Sequence, residues 1–194
     1  MTMEPAADVR IECWENTWKC CATAFIFQER ARHLRRRLQT LSFLGIAVPA
    51  AIGGIVMTFQ SLEDGAIAII LSIAGALLVA QLVLSIMSLT SRWEDSFAYA
   101  LKSAALNTKL RLRYERLAKD APTDIAEQFS ALQEDDTELQ IEDEKQGLTS
   151  DERIRGMRYS LLQYHKACIA CNETPRSMTP TQCGICGNFK TWRI

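Results

Sequence analysis

Two stretches of this chain carry no ionisable residue, Leu41–Phe59 and Gly65–Leu89, and only Gln60-Ser61-Leu62-Glu63-Asp64 separates them. Missing from both is the polar face that a helix of a water-facing bundle presents. The polar residues inside them are few: Ser42, Thr58, Ser72, Gln81, Ser85 and Ser88. Equally absent are a nucleophile with a neighbouring base, a phosphate-cradling loop and an open metal site, so an enzyme is not expected. No internal repeat or low-complexity tract breaks the 194 residues. The first forty residues are long, charged and aromatic, which excludes a short basic start before an apolar run and hence a secretory signal. Lys and Arg number 22 against 23 Asp and Glu, so net charge points to no nucleic-acid or acidic partner.

What is present predicts an all-α membrane protein. At 1.5 Å per residue the first uncharged stretch reaches about 28 Å and the second somewhat more, against a hydrocarbon core of ~30 Å. The expectation is a two-span transmembrane helical hairpin flanked by cytoplasmic helices. Arg30, Arg32, Arg35, Arg36 and Arg37 precede it and Arg92 and Lys102 follow it, whereas the turn holds Glu63 and Asp64. The excess of arginine on one side places both termini in the cytoplasm. The segments are then 1–40, a tail and amphipathic helix; 41–89, the hairpin; 90–166, a cytoplasmic helical region with an acidic loop; and 167–194, a small C-terminal knuckle.

Along the chain, Trp14, Trp18, Cys21 and Phe25 recur at helical spacing from about Asp8. Gly45, Pro49 and Gly53 in the first span, and Ala68, Ser72, Ala76 and Ala80 in the second, place small residues every fourth position, which lets helix backbones approach closely. Gln81, Ser85 and Ser88 are the polar groups deep enough to matter, either as interhelical hydrogen-bonding groups or as the lining of a pore in a homo-oligomer. A long helix is expected from about Ser91 to Lys119, ended by Pro122, with Leu106, Leu110, Tyr114 and Leu117 on one face. A short helix is expected over 123–133, and the run from Asp124 to Glu152, dominated by acid and densest from Glu134 to Glu144, reads as a solvated loop. A last helix starts near Ser150.

Cys168-x-x-Cys171 and Cys183-x-x-Cys186, eleven residues apart, carry the clearest chemistry. Each pair presents two thiolates to one ion, and Zn²⁺ accepts four such ligands tetrahedrally. Four thiolates fill the coordination shell, so a zinc knuckle here is structural rather than hydrolytic. A cytoplasmic location argues against disulfides. Gly184 and Gly187 suit the tight turn of the second pair. Cys13, Cys20 and Cys21 read as buried structural thiols, and His165 as helix surface rather than a substitute ligand.

With that spacing at its C-terminal end, the sequence resembles the small mobilome proteins named for the same cysteine pattern. The order of helix, hairpin and long helix is similar to the SLATT group of two-transmembrane effectors. The resemblance implies a bacterial inner-membrane effector of a defence or conflict system, a homo-oligomer in the lipid bilayer that perforates the membrane when a sensor or nucleotide-signalling partner acts. A second reading is a membrane-anchored zinc knuckle that captures protein or nucleic acid. Lys166, Arg176, Lys190, Trp192 and Arg193 permit a strand but are few for one.

Overall fold

The computed structural model describes the backbone of residues 5–58 and 64–190 and, of these, the side chains other than 5, 6, 55–58, 64–68, 70, 71, 88 and 89. Among the described residues there are five helices: α1 (Pro5–Thr58), α2 (Asp64–Thr90), α3 (Trp93–Asp120), α4 (Ile125–Glu144) and α5 (Ser150–Gln163). The chain divides into two compact units, one of Met1–Arg30 with Tyr99–Ile194 and one of Ala31–Ala98.

In the first unit three helices meet along stripes that alternate by three and four residues, the spacing that keeps one seam of a helix facing its neighbours. On α1 the stripe is Cys13, Thr17, Cys20, Ala24 and Phe27, all buried. On α3 it is Ala100, Ser103, Asn107, Leu110, Tyr114 and Leu117. On α4 it is Ile125, Phe129, Leu132, Asp136 and Asp143, with Leu139 packed beside them. Cys13, Cys20, Leu110, Tyr114, Phe129 and Leu132 share one core, in which the Tyr114 and Phe129 rings lie 6.0 Å apart.

Each buried acid of α4 is met by donors from facing helices. Tyr99 Oη and Ser103 Oγ donate to Asp143 Oδ1 at 2.7 Å each, and Asn107 Nδ2 donates to Oδ2 at 2.9 Å. Tyr114 Oη donates to Asp136 at 3.4 Å, and the Cys20 thiol lies 3.9 Å from the same carboxyl. The acidic segment is therefore not a solvated loop beyond a short helix. It continues α4 to Glu144, because two of its acids occupy stripe positions where partners wait for them.

Across α1 from this core lies α5. Phe25 stacks on Tyr159 with centroids 4.0 Å apart, and Ser160 Oγ donates to the Trp18 carbonyl at 2.8 Å. Gly156 permits the approach: a Cβ there would stand 2.8 Å from the Ala22 carbonyl oxygen and from the tip of Ile26. The helix starts at Ser150, as read from the sequence, on a capping box in which Thr149 and Glu152 satisfy each other's backbone amides. Arg30 closes the corner, donating to Glu152 at 2.6 and 2.7 Å and to the Gln146 and Gly147 carbonyls. Burial alone would raise the Glu152 carboxyl, but Arg30 and the Thr149 amide and hydroxyl outweigh it, so its pKa lies below the ordinary value.

The second unit overturns the membrane hairpin. Among the described residues no helix is long and apolar enough to cross a membrane. The two-span fold class, the inner-membrane localisation with cytoplasmic termini, and the pore built on them are corrected accordingly. The turn around Glu63 lies outside the described residues.

Candidate metal centre

α5 ends at Gln163, and the chain reverses through His165, whose φ of 51° takes the left-handed conformation, while Lys166 N–H donates back to the Leu161 carbonyl at 3.0 Å. This exit delivers Cys168 onto Leu161, in a cluster with Cys186 that Met157, Cys171 and Cys183 complete. The first turn is closed by Asn172 N–H to the Cys168 carbonyl at 2.8 Å. In the second, Gly187 and Asn188 N–H both donate to the Cys183 carbonyl, at 2.9 and 2.7 Å. A side chain at Gly187 would collide with Thr181 Oγ1, so this turn requires glycine, whereas a Cβ on Gly184 would meet open space.

The four sulfurs all lie within 4.8 Å of one another. Cys168 Sγ is 3.9 Å from Cys183 Sγ, and Cys171 Sγ is 3.8 Å from Cys186 Sγ. A tetrahedron with metal–sulfur bonds of about 2.3 Å has edges of about 3.8 Å, whereas a disulfide needs about 2.05 Å. The donor set therefore fits one tetrahedral ion, and all four cysteines are free thiols. The Cys186 and Ile185 amides donate to the Cys183 sulfur and lower its pKa to about 6, while burial pushes Cys186 well above the ordinary thiol range. One ligand is ready as a thiolate, and another must give up a proton when metal binds.

Arg158 joins this centre to the helices. It is buried, and its Nε donates to the Ser177 carbonyl at 2.7 Å and its Nη1 to the Cys186 carbonyl at 3.1 Å. Nothing in the cysteine spacing announces this residue; its place one turn before Leu162 on the last helix was the available signal. His165 is exposed and takes no part in the cluster. Cys13, Cys20 and Cys21 are buried in the helical unit, and burial raises Cys13 to about 11, with Glu12 adding to it.

The residues singled out in the uncharged segments are not brought into one site. Gly45 faces the amide of Gln81, where an added Cβ would lie 3.5 Å from Nε2, and Gln81 Oε1 is buried with no hydrogen-bond partner among the described residues. Ser85 is half-buried; Pro49, Gly53, Ser72, Ala76 and Ala80 are exposed. The side chains of Ala68 and Ser88, and Trp192 and Arg193 of the tail, lie outside the described residues.

Among the described residues, fold and site together define an all-helical chain with a four-cysteine cluster positioned to bind a metal ion. The chain belongs to the Mobilome CxxCx(11)CxxC protein family, whose profile matches residues 10–189. That match carries no SLATT assignment with it. Among the curated proteins and the solved structures, none matches.

Proposed function

We propose that this protein is a non-catalytic binding module whose C-terminal knuckle holds one Zn²⁺ through Cys168, Cys171, Cys183 and Cys186. The observation that carries the reading is the pair of sulfur–sulfur separations, 3.8 and 3.9 Å, which match the edge of a tetrahedral thiolate site. Four thiolates leave no coordination position for water or substrate, so the ion's contribution is to folding. The residues of the knuckle bind and orient it: backbone amides hold the Cys183 sulfur, and Arg158 anchors the turn that carries Cys186.

A protein partner is favoured over a nucleic-acid strand. Ile169, between the cysteines of the first turn, is 93% exposed, and Ile185, between those of the second, is exposed as well. Of the described basic groups nearby, Lys166 already lies 5.5 Å over the Trp18 ring. The mobilome of the family description supports a role carried on mobile elements. Cobalt substitution tests the metal reading: the intense visible bands of a tetrahedral thiolate site are expected, lost in Cys186→Ser. Bands of six-coordinate cobalt would contradict a closed shell, and iron–sulfur absorption in the protein as purified would replace zinc with a cluster.

A further inference from the structure

In the second unit, the surface of α2 is the least expected feature of the molecule. Ten large apolar side chains of α2, from Ile69 to Met87, are 41–63% exposed. At 100° per residue Ile73 and Leu84 share one side, Leu78 and Leu82 lie roughly opposite, and Val79 and Ile86 fall between. Among the described side chains of α2 only the arc of Ala74, Gln81 and Ser85 is covered, on the side where Gln81 meets Gly45 of α1. A helix apolar on nearly every side belongs inside a larger assembly, not on a surface.

We propose that further copies of this chain cover that surface, with α2 as the packing centre of a homo-oligomer. At about 80 Å² each, the ten side chains amount to roughly 800 Å², what one partner contributes to a standard stable interface and more than the ~300–600 Å² of the largest patch on a typical monomer. From Gly65 to Thr90 the sequence of α2 has no charge. Like surfaces can therefore meet without repulsion, as a contact between identical copies demands. The outward face of α4, with Glu134, Asp135, Glu138 and Glu142 exposed, would repel its own copy and is no rival for this role. One neighbouring helix covers only one stripe, so the exposed arc of α2 accommodates more than one copy.

The test is the mass of the full chain in detergent-free buffer by light scattering. A multiple of 21.8 kDa is expected, falling at least twofold to the single-chain mass in Leu78→Glu/Leu82→Glu. Leu101→Glu, an equally exposed leucine of α3 in the other unit, should leave the mass unchanged. Because glutamates on α2 can impair folding, Val79→Cys in the otherwise native chain gives a second readout: oxidation should cross-link chain to chain. A native chain of 21.8 kDa overturns the proposal, as does an oligomer that survives both glutamates. So does a chain recovered only on phosphatidylethanolamine–phosphatidylglycerol vesicles without a Val79→Cys cross-link, which would make lipid the occupant.

Discussion

The two units solve the burial of a helix face in opposite ways. In the first, α3 and α4 are rich in charge, yet the buried acids of α4 are met: Asp143 by Tyr99, Ser103 and Asn107, Asp136 by Tyr114 and Cys20. In the second, α2 is almost free of charge, and its apolar side chains stand uncovered. Charge content is thus a poor guide to which segment is complete by itself. What matters is whether partners for the surface exist within one copy, and the first unit has them.

That contrast can be broken most severely at the metal. Cys186→Ser should release the ion, unfold the knuckle and deprive buried Arg158 of an ordered acceptor, a loss on the order of 10 kcal/mol of metal-linked folding energy. Proteolysis should then cut residues 164–190 first, while α2 is unaffected. The expected readout is a cleaved tail and a lower thermal midpoint, each insensitive to chelator in the variant and sensitive to it in the native chain.

A smaller effect is expected within the core. Asp143→Ala leaves three donors without their acceptor and should cost about 3 kcal/mol in denaturant unfolding. Gly156→Val drives a branched side chain into the Ala22 carbonyl and Ile26, for a loss of about 2–3 kcal/mol. Equal cost for Gly53→Val would erase the distinction between the units, because a Cβ on Gly53 meets nothing within 4 Å.

The pH profile separates the two kinds of buried acid. The Glu152 pKa is lowered in the folded chain, so its contribution is fully present above the unfolded carboxyl value and is lost as pH falls through the folded one. Glu152→Gln should cost about 2 kcal/mol at neutral pH and little in acid. Asp136 has the opposite sign. Burial, against the help of Gln140, Tyr114 and Lys19, raises it, so its contribution falls as pH rises through the folded value. Asp136→Asn should therefore be neutral or gain up to about 1 kcal/mol at pH 7, a gain that disappears in acid. The smallest change, Thr149→Ala, removes the cap of α5 for about 1 kcal/mol.

Much of the knuckle was legible in the sequence, since two Cys-x-x-Cys pairs are a local pattern and the requirement for glycine at 187 is local too. Arg158 was not, because its acceptors are backbone carbonyls 19 and 28 residues away, which leave no trace in residue type. Leu110, Tyr114 and Leu117 were identified as one face of α3 and are buried there. The Trp14, Trp18, Cys21 and Phe25 stripe turned out to be only part of α1's pattern; Phe25 faces α5, and Cys13 and Cys20, read as buried thiols, belong to a seam that Thr17, Ala24 and Phe27 complete. A bias towards apolar stripes hid the length of α4. The alternation of four and three runs unbroken through Ile125, Phe129, Leu132, Asp136, Leu139 and Asp143, but two acids in the seam made it read as a solvated loop. Composition announced the charge-free segments and could not say what covers them.

The account rests most directly on the metal. Elemental analysis of the full chain, purified under reducing conditions, should find one zinc per 21.8 kDa chain and no iron. A zinc content near zero, with all four thiols titratable, would contradict it.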